Sequence, residues 1–337
     1  MGLVAFQQIT VTDADDVLNE LDTFCAANGW TTNNNSVFGN GRRLHMQKTG
    51  SETVHSDLFV NLRSSDPREI HFNDSSQSFH LGLNMSEVFT LADDPMRQGE
   101  SGTPRYPRDA VGAGQARGAG IRFESPDPNV PANQTAFMWI FNLPDLVIVY
   151  LEYSPGRFNW FYFGEMKKTA TFTGGQVFGA PYSYENILIN GDAENQPRFM
   201  DNTNDHPNNF IRVDFDTTTG RWVQNHTSGS GFTALQGLIG RHLNQFFIDA
   251  SPNVFNGKAP LIISYIYVRR AGGVQQSHLG FYEHVRHINM ENLNSKQQFS
   301  VGSSDWQVFP FRAKGAIFSG IGDDTLSANR AVAIRRN

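Results

Sequence analysis

Apolar residues recur along this chain chiefly at every second position in short runs, the spacing of strands with one buried face. Leu44 and Met46 alternate with polar neighbours inside Arg42 to Lys48, and Leu58, Val60 and Leu62 do the same beyond the Thr49-Gly50-Ser51 turn. The two runs predict an antiparallel hairpin. Phe6 to Val11 predicts a short strand before them, and His71, Phe72, Phe79, Leu81 and Leu83 predict further strands after them. One segment changes period: Val17, Leu18, Leu21, Phe24 and Cys25 recur at the spacing of one helical face. Thr12 supplies a capping hydroxyl there, and Asp13, Asp15 and Asp16 place acids in the positive first turn. Asn28-Gly29 predicts the helix end, Trp30 an anchor, and the following TTNNNSVFGNG an Asn/Gly-rich turn.

Strands resume at Ile121–Phe123, Ala136–Phe141, Leu146–Tyr153 and Phe158–Phe163. Ala136 to Tyr153 is the most apolar stretch, yet Asn142, Pro144 and Asp145 interrupt it, which predicts two buried strands around an NLPD turn and not a membrane span. Arg157 to Ser183 holds the densest aromatic group, with Phe158, Trp160, Phe161, Tyr162 and Phe163 followed by Phe172 and Phe178. Rings at that density must be buried against other strands or another chain, because each carries about 150–250 Å² of mostly apolar surface. Asn190 to Asn209 reads as a polar surface loop, and Phe210–Phe215 with Arg221–Gln224 as a hairpin across a Thr217–Gly220 turn. Leu235, Leu238, Ile239, Leu243, Phe246 and Phe247 recur about every fourth residue, which predicts a helix despite Gly237 and Gly240. Leu261–Val268, Glu283–Ile288, Phe299–Val301, Trp306–Phe311 and Ala331–Ile334 complete the predicted strands.

The expected fold is mainly β with a few helices, an α+β arrangement of antiparallel sheets, sandwich or barrel-like, with an N-terminal helix. Asp93 to Gly120 loses the apolar pattern and reads as a connector or as an arm ordered by a partner. Composition therefore divides the chain into a small α+β unit at 1–100, a flexible loop or arm at 101–120, and a β-rich main region at 121–337.

Charged residues make up only 18% of the chain, and the net charge of −6 argues against a nucleic-acid partner held by a basic field. The single cysteine, Cys25, precludes an intrachain disulfide and sits on the predicted apolar helix face, as a small core hydrophobe would. With one cysteine, and with neither a basic start nor a long apolar run in Met1 to Thr12, the expectation is folding in a reducing cytoplasm without a signal peptide or membrane partner.

Candidate chemistry is sparse. His284 and His287 beside Glu283 form the closest histidine pair, but in a strand they face opposite ways, and Asp205-His206 lies in a polar loop. Both read as solvated or hydrogen-bonded histidines, so no metal is expected. The glycines from Gly112 to Gly118 miss the dinucleotide spacing, and Asn256-Gly257-Lys258 lacks the rest of a phosphate loop. No G-x-S-x-G elbow occurs, and the pairs Asp93/Asp94 and Asp323/Asp324 read as solvated surface. No catalytic residue and no cofactor are expected, and the chain reads as a non-enzyme.

Three stretches resemble tailed-bacteriophage virion proteins. The first runs from FCAANGW through GRRLHMQ to VHSDLFVNLRSS; the second is RFNWFYFGEMKK with the following FTGG; the third is VGSSDWQVFPFRAKG with a closing IR. The resemblance implies a structural component of the particle, in the tail or baseplate, assembled in the host cytoplasm and carried in the virion. It implies contacts with copies of itself and with other virion tail proteins, and such contacts close into a ring when the operator is rotational. Arg105, Arg108 and Arg117 are the candidates for an inter-subunit arm, and Trp160 and Phe163 for contact aromatics. A receptor- or carbohydrate-binding module, with Trp139, Trp160 or Trp222 stacking on sugars, is the alternative; a neck, collar or head-decoration protein is a further one.

Overall fold

A seven-stranded antiparallel sheet runs through the middle of the protein with both faces covered. With strands numbered in chain order, it runs β1 (Ala5–Val11), β9 (Ala136–Asn142), β10 (Leu146–Ser154), β11 (Arg157–Glu165), β13 (Thr173–Gly179), β15 (Asn209–Asp214), β16 (Arg221–Gln224). Double burial explains the nearly unbroken apolar sequence of its middle strands, since alternation leaves no solvent face to fill with polar residues. Along β11, Phe161 and Phe163 enter one core while Phe158, Trp160 and Tyr162 enter the other. The computed structural model describes residues 5–51, 57–66, 69–70, 79–91, 96, 105–106, 115–116, 118–121, 136–180, 182–183, 209–214, 221–224, 236–239, 252–269, 276–310 and 329–337.

The first face carries helix α1 (Ala14–Ala27) and a six-stranded sheet: β14 (Tyr182–Ser183), β8 (Ala119–Ile121), β5 (Leu81–Ser86), β4 (Asp57–Ser64), β3 (Gly41–Thr49), β2 (Thr31–Phe38). Leu44, Met46, Val60, Leu62, Leu83 and the helix stripe Val17, Leu18, Leu21, Phe24 and Cys25 fill that core. The expected hairpin is the β3–β4 pair, with Leu44 opposite Leu62 and Met46 opposite Val60. The second face carries β17 (Gln236–Ile239), β18 (Ile262–Arg269), β19 (Gln276–Asn289), β22 (Arg330–Arg335), β21 (Ser304–Pro310) and β20 (Gln298–Val301), with β12 (Lys167–Lys168) added beside β19. A further ribbon pairs β6 (Arg105–Tyr106) with β7 (Gln115–Ala116). Among the described residues all pairings are antiparallel and no sheet closes into a barrel.

The outer sheet is keyed to the central one by Phe309 of β21. Its ring lies 4.4 Å from Tyr150, 5.6 Å from Trp139, 5.8 Å from Phe141 and 5.9 Å from Phe158, and all five residues are buried. At one edge of this interface Lys296 ion-pairs with the buried Glu152 at 2.9 Å and lies over the Trp139 ring at 5.6 Å.

Several elements differ from the sequence expectation. Asp13, and not Thr12, caps α1: its carboxylate accepts the Asp16 N–H at 2.8 Å, while the Asp16 carboxylate accepts the Thr12 N–H at 2.9 Å. A carboxylate accepts more strongly than a hydroxyl at the positive helix end, so the acid takes the cap. The helix ends as expected, at Asn28, with Gly29 at φ +90°. Thr31–Phe38 is a strand and not a turn, and the turn shrinks to Gly39 and Asn40. It is the edge of its sheet, where polar side chains are tolerated: Asn33 donates to Gln47, Asn35 donates to Asp22, both at 2.8 Å, and Arg42 donates back to Asn35.

Gln236–Ile239, expected inside a helix, forms β17 against β18, and the rest of that expected helix lies outside the described residues. A spacing of four does not separate the two conformations when glycine stands at every turn. One α-helix is present among the described residues, and it is not long and apolar enough to cross a membrane. The division near residue 100 separates strands that share a sheet: β1 pairs with β9, while β8 and β14 extend the sheet built by β2 to β5. The predicted strand at His71–Phe72, the polar loop up to residue 208, Asp205-His206, and the pairs Asp93/Asp94 and Asp323/Asp324 lie outside the described residues.

Candidate interaction surface and buried polar junction

The aromatic residues singled out in the sequence pack within the chain itself. Trp160 and Phe163 are fully buried on opposite faces of β11, Trp160 stacked on Tyr162 at 6.2 Å and Phe163 edge-on to Trp30 at 5.2 Å. Trp139 is buried in the cluster around Phe309, and Trp222 is half-buried with its ring 5.2 Å from Phe178. Neither Trp139 nor Trp160 offers a face to a sugar. Arg105 lies in the β6–β7 ribbon, and Arg108 and Arg117 fall outside the described residues. His284 and His287 are buried in β19; burial pushes the His284 imidazole below its usual range, with Glu283 opposing the shift. Among the described residues no three His, Cys, Asp or Glu side chains converge as metal ligands. Burial, with Asp22 adding to it, pushes the Cys25 thiol far above its usual range, so this cysteine stays un-ionised.

Among the described residues, the most exposed large apolar side chains belong to one hydrogen-bonded loop. Val254 is 88% and Phe255 95% exposed, at the tip of Pro252–Pro260. Asn253 organises the tip: its side-chain oxygen accepts the Phe255 N–H at 2.9 Å, its backbone N–H donates to the Lys258 carbonyl, and its carbonyl accepts the Gly257 N–H at 2.7 Å. Gly257 takes φ +67°, which a side chain would strain, and Asn256 accepts the Lys258 N–H. At its base, Ala259 and Leu261 pack on the outer face of the outer sheet with Ile288, Trp306 and Val308. A loop bonded and anchored this way presents its apolar tip already ordered, so a contact made there loses little conformational entropy. The signal was present in sequence as two apolar residues held between Pro252-Asn253 and Asn256-Gly257 turn residues.

A second feature sits where the three layers meet, at the NLPD turn. Asp145 is only 8% exposed, and neither carboxylate oxygen has a hydrogen-bond partner of ordinary geometry. Burial pushes its carboxyl up to about 7; the charges of Glu283 and Glu165 add to the shift, and the nearby backbone N–H groups of Asp145 and Glu283 oppose it. Its neighbours are better provided. Glu165 accepts from the Ser51 hydroxyl at 2.8 Å, and Lys48 donates to the Pro144 carbonyl at 3.4 Å and lies over the Trp30 ring at 5.6 Å. Gly164 makes the turn possible: at φ +146° it lies so close that a Cβ would stand 2.2 Å from the Asp145 carbonyl. An acid between the two apolar runs Ala136–Phe141 and Leu146–Leu151 was the sequence signal for Asp145, and it read only as a turn residue. In comparisons with known proteins, no family model and no curated protein matches this chain.

Proposed function

We propose that this chain is a non-enzymatic structural component of a bacteriophage particle, a tail or baseplate protein that assembles into a symmetric ring of copies and contacts neighbouring virion proteins. The observation that carries the assembly reading is the ordered loop that holds Val254 and Phe255 out to solvent. Two apolar side chains so fully exposed on a hydrogen-bonded loop fit the anchor of a protein contact better than a monomer's surface. The three stretches that resemble phage virion proteins support the rest. They supply α1, β3 and β4 on the first face, β11 and the start of β13 at the centre, and β12 with β20 to β22 on the second face, so the likeness touches the frame of every layer.

The test is self-association of the full chain, measured by light scattering over a concentration series, with Phe255→Ser beside the wild type. Phe255 buried in a contact contributes about 2 kcal/mol, so the substitution weakens each contact about 30-fold while leaving the circular dichroism unchanged. Association that is present and unaffected by Phe255→Ser removes the loop from the assembly contact.

A further inference from the structure

We propose that β1 pairs edge to edge with β1 of a second copy of this chain, joining the two central sheets into one across a two-fold axis at Gln8. The inference does not rest on the particle reading, and the contact is separate from the Phe255 loop.

β1 is an open edge of the central sheet. It hydrogen-bonds β9 on one side, and among the described residues no backbone group pairs with its other side. In an antiparallel ladder every second residue turns its N–H and C=O away from the neighbour, so the free side of β1 presents a row of unpaired donors and acceptors. Gln8 and Thr10 are exposed and Ala5, Phe6, Gln7 and Ile9 half-buried, whereas β10 and β11 at the middle of the sheet are buried almost throughout. Folded proteins guard such an edge with a charge, a proline, a bulge or a very short strand. β1 has none of these: AFQQITV runs seven residues in unbroken register, from Ala5 opposite Asn142 to Val11 opposite Ala136. The other sheet edges are guarded or short. β2 is bulged between Thr32 and Asn34 and ends at Phe38, whose ring carries the guanidinium groups of Arg43 and Arg63. β16, β17 and β20 have four residues each and β14 has two.

The strand's own sequence selects the occupant. Antiparallel pairing about Gln8 sets Ala5 against Val11, Phe6 against Thr10 and Gln7 against Ile9 of the other copy, and Gln8 against its own counterpart. The axis is normal to the sheet, so each face stays on its own side. Ala5 and Ile9, at the rim of the first-face core, gain Val11 and Gln7 as neighbours, and Phe6, at the rim of the second-face core, gains Thr10. No charge meets a like charge along the strand, and the two Gln8 amides, each both donor and acceptor, suit one another. Arg336, over the Phe6 ring at 4.2 Å, falls at opposite ends of the ladder in the two copies.

Sedimentation velocity of the full chain carrying Phe255→Ser, which removes the loop contact, tests the pairing by itself. The expected result is a dimer that does not grow further as concentration rises. Gln8→Lys and Gln8→Glu, each added to Phe255→Ser, put like charges on the axis at an exposed position; each weakens the dimer by about fivefold with circular dichroism unchanged, and a 1:1 mixture of the two dimerises more tightly than either alone. A Phe255→Ser protein that stays monomeric at every concentration overturns the pairing, as does a dimer indifferent to both Gln8 substitutions. A mixture no tighter than its components places the two Gln8 residues apart and overturns the two-fold register. The ring reading stands or falls separately, on whether the wild type grows beyond two copies.

Discussion

Replacing Phe309 with alanine should cost the protein about 4 kcal/mol. The ring is fully buried, and it contacts Tyr150, Trp139, Phe141 and Phe158 of the central sheet at centroid distances from 4.4 to 5.9 Å. Phenylalanine-to-alanine changes in cores cost about 3–5 kcal/mol, part from lost transfer free energy and part from the cavity left behind. Four surrounding rings in fixed edge and stacked arrangements hold their places, so the cavity collapses poorly and the upper half of that range applies. Against a usual stability of about 5–15 kcal/mol this is a large fraction. Urea unfolding followed by tryptophan fluorescence measures it, with Trp139 reporting from beside the cavity and Phe309→Leu as a volume-sparing control expected to cost less than about 1.5 kcal/mol. A loss below about 1 kcal/mol for the alanine variant would show that the outer sheet does not pack on the central sheet through this residue.

Three other outcomes follow from the same geometry. Asp145→Asn should leave stability unchanged at or below pH 4 and raise it by up to about 4 kcal/mol at pH 8: the folded carboxyl titrates near 7 and the unfolded one near 3.8, so wild-type stability falls between those values as pH rises and stays lowered above them. Equal stability of the two proteins at pH 8 in chemical unfolding would contradict this. Gly164→Ala, placing a Cβ 2.2 Å from the Asp145 carbonyl at φ +146°, should destabilise by about 2–4 kcal/mol or prevent folding, and a thermal midpoint within about 2 °C of wild type would count against the turn as described. Lys296→Met removes the partner of buried Glu152 and should cost about 2–3 kcal/mol at pH 7, with the loss shrinking under Glu152→Gln in a double-mutant cycle; additive single effects would mean the pair is not coupled.

Much of the sheet structure was legible because alternation reports directly on which face of a strand is buried. The β3–β4 hairpin, the NLPD turn and the β15–β16 pair all follow from period two and turn residues. The aromatic run at 158–163 announced burial, against other strands or another chain, and the fold supplies a core on each face of β11. What alternation does not encode is the partner. Nothing local says that β1 lies beside β9, or that β8 and β14 extend the sheet of β2 to β5. Thr31–Phe38 was hidden because its strand character comes from an edge position and from amide contacts to Asp22 and Gln47, whereas its composition is that of a turn. Exposure was hidden for a related reason: Trp160 and Phe163 are conspicuous as residue types but interior, while Phe255 stands in a short turn whose exposure only the fold reveals.

The central claim, that this chain builds a ring in a phage particle, is tested most directly by negative-stain electron microscopy of the purified full-length protein at rising concentration, with rotational symmetry read from class averages. The account predicts closed rings of one symmetry that are lost in Phe255→Ser. A folded protein that stays monomeric at every concentration, alone and with the other virion proteins added, would contradict it.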